Sequence, residues 1–362
     1  MTVRLMEGSE AMAEAAIGAG CRFFAGYPMT PFTELLEHFA AKLPPVGGVC
    51  INAESELEAV GMTWGALATG ARAATGSTGQ GLALMQESFS EITLAELPLV
   101  IFDMARGQGD YFQATRGGGH GDYRHIVLAP MDIGEAVELT QLAFHLGDKW
   151  RIPVLVYGDY LLAHTAEAVD VSTGTLEPLP DKDWAVDGSL AGTGRSRSVS
   201  SLGIGKHNTP GPGIEAHQRA IADKLGRIEA EEVRVETGHL EGAEHVVVAF
   251  GTPAKFVRYV VARLRDEGVP IGYVRPITLW PFPYQAVADA AAGPRQVMVF
   301  EINAGQMIDD VRLGVLGRAP VVPIGGISTD HSGFGVGDLL DVAVIRRRIE
   351  SVLSGAPEEV PA

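Results

Sequence analysis

Three side chains early in the sequence have the type and setting to do chemistry. Glu56 lies in "NAESELEAVG" and shares a helical face with Val60, Trp64 and Leu67. A carboxylate turned toward apolar neighbours is costly unless paired, which makes Glu56 a candidate partner for a ligand nitrogen. Glu54 and Glu58 read as ordinary acidic residues of a first helical turn, with Asn52 as candidate cap. Arg106 ends the apolar run "PLVIFDMA" and could capture a carboxylate through two parallel hydrogen bonds, or serve a structural ion pair. Behind it come Gln108, Asp110 and, inside "GGGHGDY", His120, whose glycine surroundings leave it free to act as an acid or base. No His-x-x-x-His or paired-carboxylate spacing accompanies His120, which argues against a metal. Thr30 carries the hydroxyl of "GYPMTP", where Pro28 and Pro31 forbid a regular helix or central strand.

The elements that must position these residues alternate. "CRFFAG", a helix over 31–43, "GVCIN", a helix over 55–70, "ARAATGS", a helix over 80–93, "LPLVIFDM", a helix over 132–147 and "RIPVLVYGD" predict a parallel sheet covered on both faces. In such a sheet ligands sit beyond the carboxyl ends of the strands, where Thr30, Glu56 and Arg106 all fall. The junction "TGSTGQG" lacks the lysine and fixed glycines of a P-loop and reads as a tight turn of small residues that lets another backbone approach. Residues 1–165 form this first domain. Residues 166–240 are rich in Gly, Ser, Pro and charge and read as a linker or excursion against a neighbouring chain, with a helix at 214–231. From 241 to 362 a second, smaller α/β domain follows, with helices over 254–267, 283–292, 304–316 and 336–353. Trp280 in "VRPITLWPFP", and Asn303 and Gln306 in "FEINAGQM", mark an interface or cofactor-tail surface.

Composition narrows the function. A formal charge of -17 argues against nucleic acid as a partner. The two cysteines form no Cys-x-x-Cys pair, so a one-electron carrier would have to come from another chain. No apolar run is long enough to span a bilayer and no secretory signal is visible, which predicts a cytoplasmic protein without membrane contact.

The stretches "GYPMTPFTE", "AESELEAVGMTWGALATGAR", "GQGDYFQATRGGGHGDYR", "VRPITLWPFP" and "VFEINAGQM" together resemble the alpha subunit of 2-oxoacid:ferredoxin oxidoreductases. The likeness is nearest to the branched-chain (3-methyl-2-oxobutanoate) and 2-oxoglutarate branch and spans nearly the whole chain. It implies an α/β fold with a thiamine diphosphate pyrimidine-side domain followed by a transketolase C-terminal-like domain. A beta subunit would hold the diphosphate, Mg2+ and an iron-sulfur cluster; gamma and delta subunits and ferredoxin are further possible partners in the hetero-oligomer. The implied reaction is oxidative decarboxylation of a 2-oxoacid to an acyl-CoA, with coenzyme A as co-substrate.

Carried over by the resemblance, Glu56 matches the glutamate that hydrogen-bonds the pyrimidine nitrogen, Thr30 the hydroxyl that contacts the 2-oxoacid, and Arg106 the arginine that binds its carboxylate. Tyr27, Pro28, Ser77 and Gly79 complete the expected cofactor contacts, with Gln108, Asp110 and His120 on an expected active-site loop. In one place the chain departs from the pattern: "MARG" runs almost directly into "QGDYF", where related subunits carry a longer loop. That shortening keeps open a related non-redox decarboxylase or transferase subunit, and because half a cofactor site cannot act alone a non-catalytic scaffold subunit is a further alternative.

Overall fold

The computed structural model describes residues 3–172, 174–186 and 211–355. The first series runs β1 (Arg4–Glu7), α1 (Gly8–Gly18), β2 (Phe23–Gly26), α2 (Thr33–Lys42), β3 (Val49–Asn52), α3 (Glu56–Ala68), β4 (Ala73–Ser77), α4 (Gly79–Leu84), α5 (Gln86–Leu94), β5 (Val100–Ala105), α6 (Tyr111–Thr115), β6 (Ile126–Leu128), α7 (Ile133–Trp150), β7 (Val154–Asp159), α8 (Tyr160–His164) and β8 (Ala166–Val169). The second runs α9 (Ile214–Glu231), β9 (Val235–Gly238), β10 (His245–Ala249), α10 (Gly251–Asp266), β11 (Ile271–Pro276), β12 (Thr278–Trp280), α11 (Tyr284–Ala290), β13 (Gln296–Phe300), α12 (Met307–Val315), β14 (Val321–Pro323) and α13 (Val342–Ser354).

The larger sheet has the order β12-β6-β7-β5-β4-β2-β3, parallel throughout except where β12 meets β6. Its central strands β4, β5 and β7 are buried on both faces, as their Val, Ile, Ala and Phe content dictates. The chain moves outward from β2 to β3 and then returns to β4 on the other side of β2. This reversal opens a crevice beyond the carboxyl ends of β2 and β4, the position where open parallel sheets bind ligands. The rings of Phe24 and Phe39 stack with centroids 3.9 Å apart and anchor α2 behind β2.

The second sheet has the order β14-β13-β10-β11-β9, with β9 antiparallel. Two strands ignore the expected division of the chain. β9 precedes residue 241 yet belongs to the second sheet, and β12 follows it yet pairs with β6 in the first, Thr278 opposite Leu128. Helix α9, expected in the excursion, lies against its own chain: Lys224 Nζ meets Glu96 Oε1 at 2.9 Å, and the His217 ring meets the Leu94 carbonyl. Residues 187–210, the core of the glycine- and serine-rich stretch, lie outside the described residues.

Some boundaries differ from expectation for local reasons. The helix expected over 80–93 is two helices meeting at Met85. The one expected from 336 starts at Val342, because the Asp341 carboxylate accepts from the N–H groups of Ala343 and Val344 and sets a new first turn. Helix α1, unassigned from sequence, buries its alanines against α7 and α2. Among the described residues no helix is long and apolar enough to cross a membrane.

Candidate active site

Glu56 is the first residue of α3 and is 2% exposed. Ser55, rather than Asn52, caps the helix, its hydroxyl accepting from the Glu58 N–H; Asn52 ends β3, and Glu54 and Glu58 face solvent. The Ser77 hydroxyl donates to Glu56 Oε1 at 2.8 Å from the end of β4, and among the described residues no donor reaches Oε2. Gly81 makes this approach possible. A Cβ at that position would come within 2.1 Å of both Glu56 Oε1 and Ser77 Oγ. Nothing in "GSTGQG" alone shows which of its glycines faces a carboxylate from another strand end, so sequence reasoning missed Gly81.

A second corner adjoins the first through Gln80, which lies between Gly79 and Gly81. Arg106 Nη1 donates to Gln80 Oε1 at 3.3 Å and its Nε to the Thr30 carbonyl at 3.2 Å. The Thr30 side chain is exposed, as are Tyr27 and Pro28, at the open rim of the crevice. The Gly79 N–H donates to Asp110 Oδ2 at 3.1 Å, and the Asp110 N–H donates to the Tyr157 hydroxyl at 3.2 Å. Burial pushes the Asp110 carboxyl up, opposed by the Gln113 amide, the Gly79 N–H and the Arg106 charge. Thr30, Glu56, Ser77, Gly79, Arg106 and Asp110 thus form one connected cluster.

Two expected loop residues are placed elsewhere. Gln108 is 1% exposed and its amide is used at both ends, donating to the Phe250 carbonyl at 2.9 Å and accepting from the Ile302 N–H at 2.8 Å. It joins the two halves of the chain and faces no ligand space. His120 is held against α5, its ring paired with Glu91 and its N–H donating to Ser90 Oγ. Its side chain is nonetheless exposed. Asn303 and Gln306 are interface residues within this chain: the Asn303 amide donates to the Gln108 carbonyl, and Gln306 bonds Gly109 and Phe112.

Beneath the cluster, Asp103 is fully buried beside Ser77 in the sheet register, and among the described residues neither of its oxygens has a hydrogen-bond partner. Burial, with the nearby Asp110 charge, pushes its carboxyl well above the usual range and so favours the neutral form. Burial also raises Cys21 to about 12 and Cys50 to about 11, so neither is a thiolate at neutral pH. A cavity of about 550 Å³ lined by Arg116, Arg124, Trp280, Phe282, Tyr284 and Asp310 is separate from this cluster.

The donor set fits a heteroaromatic cofactor. A buried carboxylate with one oxygen open, in a cradle of Ser77, Gly79 and Gly81, can share a proton with a ring nitrogen. Arg106, on the open side, can hold a substrate anion.

Comparison with known proteins agrees. Residues 14–185 match the family described as "Pyruvate flavodoxin/ferredoxin oxidoreductase, thiamine diP-bdg" and residues 243–331 "Pyruvate:ferredoxin oxidoreductase core domain II". The ketoisovalerate oxidoreductase subunit VorB of Methanothermobacter thermautotrophicus is 38% identical over 323 residues, covering 86% of this chain and 90% of its own. The 2-oxoglutarate synthase subunit KorA of Methanocaldococcus jannaschii is 35% identical over 338 residues, covering 86% and 91%. A solved 2-oxoglutarate:ferredoxin oxidoreductase from Magnetococcus marinus, with 2-oxoglutarate, coenzyme A and succinyl-CoA bound, superposes with a TM-score of 0.79 at 25% identity, over 96% of this chain and 65% of that one. A split-gene transketolase, an inactive beta4 tetramer, shares the fold at a TM-score of 0.55 and 14% identity, over 96% of this chain and 97% of that one.

Proposed function

The chain belongs to the 2-oxoacid:ferredoxin oxidoreductases, a family of thiamine diphosphate enzymes, and on that premise we propose that it is the alpha-type subunit supplying the pyrimidine-side half of the cofactor site. The observation that carries this reading is Glu56, a buried carboxylate at a strand-to-helix junction, approached by one hydroxyl and open on its other oxygen. Bound thiamine diphosphate supplies a carbon nucleophile and an electron sink for decarboxylation. Glu56 holds or shares the proton of the pyrimidine nitrogen, Ser77 orients Oε1, and Gly81 leaves the space in which these two side chains meet. Thr30, Tyr27 and Pro28 border the opening, and Arg106 binds the substrate carboxylate in the plane of its guanidinium.

The product is an acyl-CoA, with electrons passed to ferredoxin, from a 2-oxoacid of the branched-chain or 2-oxoglutarate type. A beta subunit holds the diphosphate, Mg2+ and the iron-sulfur cluster, with gamma and delta subunits completing a cytoplasmic hetero-oligomer. The second half of this chain supports that division of labour. The N-terminus of α12, where a phosphate would find free N–H groups, is filled by the chain's own Glu301, which accepts from Gln306, Met307 and Ile308 at 2.8–3.1 Å. The test is to co-express the chain with its beta-type partner and measure viologen dye reduction with a series of 2-oxoacids. Turnover that requires both thiamine diphosphate and coenzyme A is expected; turnover indifferent to thiamine diphosphate, or none with any 2-oxoacid, defeats the reading.

A further inference from the structure

Arg106 is held on three sides. Besides its bonds to the Thr30 carbonyl and Gln80, its guanidinium carbon lies 4.9 Å from the ring centre of Phe334, which follows the last strand of the other sheet. Phe334 is 41% exposed, yet its position is set by a self-bonded turn. Asp330 Oδ1 accepts from the N–H groups of Ser332 at 2.9 Å and Gly335 at 3.2 Å. The Gly335 carbonyl accepts from the Asp330 N–H at 3.1 Å, and the Phe334 N–H donates to Ser332 Oγ at 3.1 Å. A Cβ on Gly335 would come within 2.2 Å of Asp330 Oδ2, so the turn closes only with glycine there. Its tip carries an apolar ring outward, onto the one cation of the cluster. Only Gly107, Gln108 and Gly109 separate Arg106 from Asp110, so the short segment after Arg106 leaves this face of the guanidinium to the other domain.

A phenyl ring over one face of a guanidinium leaves the N–H edges as the route for a carboxylate. A 2-oxoacid bound edge-on then carries its side chain past the ring. None of the three groups holding Arg106 is cationic, and Glu56 and Asp110 on the same cluster are acidic side chains. A second carboxylate on the substrate would meet no partner from them, whereas an apolar side chain gains contact with the ring. We propose that Phe334 is a specificity-determining residue that favours 2-oxoacids with an uncharged, apolar side chain over 2-oxo dicarboxylates. This rests on the function proposed above and commits it to one substrate class. The rival is His331 on the same turn, exposed and able when protonated to meet a distal carboxylate.

The complex reconstituted with its beta-type partner is assayed with 3-methyl-2-oxobutanoate and 2-oxoglutarate. Wild type should prefer the first, and Phe334→Ala should lower the ratio of the two kcat/KM values by about tenfold, chiefly by raising KM for the apolar substrate. An unchanged ratio in that variant overturns the proposal, as does a wild-type preference for 2-oxoglutarate that His331→Asn abolishes. Wild type inactive on every 2-oxoacid would overturn the functional reading, and this inference with it. A second measurement needs no turnover: the rate of phenylglyoxal addition to Arg106 in the free full-length chain, followed by peptide mass spectrometry. Phe334→Ala should speed it several-fold while Phe334→Tyr leaves it unchanged; equal rates in all three proteins overturn the proposal.

Discussion

Glu56 and Glu301 are nearly the same residue in two halves of one molecule. Each follows a parallel strand, each lies near the start of a helix, and they are 2% and 3% exposed. Glu301 accepts from three backbone N–H groups, Glu56 from one hydroxyl. Donors separate the two roles. A carboxylate satisfied by its own helix is a structural anion, whereas one with an oxygen left open inside a small-residue cradle keeps its capacity for an incoming group. Asp103 extends the series to no donors among the described residues, and there burial disfavours the charged form instead.

The largest effect should come at the under-satisfied end. Glu56→Gln in the reconstituted complex should lower kcat by about 10²–10⁴-fold with the thermal midpoint near that of wild type. Near-normal turnover would erase the distinction from Glu301. At the other end, Glu301→Gln puts an amide N–H against backbone donors and should cost about 3 kcal/mol. The midpoint should then fall by roughly 4 °C while kcat stays close to wild type. A stable Glu301→Gln protein would mean that the three N–H groups find other acceptors.

Asp103→Asn should have the smallest effect, visible as a pH dependence. A carboxyl raised in the folded state binds more protons folded than unfolded, so its stability contribution is full below the unfolded pKa and is lost as pH rises through the folded one. The wild-type midpoint should drop between about pH 5 and about pH 8 by more than that of the variant. Parallel curves would show that Asp103 is charged at both.

Legibility followed the range of the signal. Strand-helix alternation and the inward phase of Glu56 are local patterns, and the fold and the first corner of the site came from them. Gln108 and His120 were both placed on an expected active-site loop in a glycine-rich stretch, His120 as a candidate acid or base. Their partners, Phe250 and Ile302 for one and Glu91 for the other, lie on elements that only the folded chain brings near. Gly81 and Phe334 were missed for the same reason, since each acts on a residue from another strand end. The segment holding β12 was read only as an interface or cofactor-tail surface, because a three-residue strand between prolines carries no periodicity and nothing local says which sheet it will join.

That short strand also determines how far the two halves can be treated as modules. Because residues 278–280 complete the outer edge of the first sheet, a gene cut between the halves would leave β6 with an open row of backbone N–H and C=O groups. The second half would in turn lose β9 if the cut fell at residue 241, since that strand lies just upstream. The two halves are therefore laced together by β12, a strand of the second half that sits in the first sheet. Recombination could shuffle them only at breakpoints that keep β12 with the first sheet, and one core runs on from that sheet to a face of the second through Val246, Val248, Val274, Val297 and Val299, which makes the pair a single inherited unit.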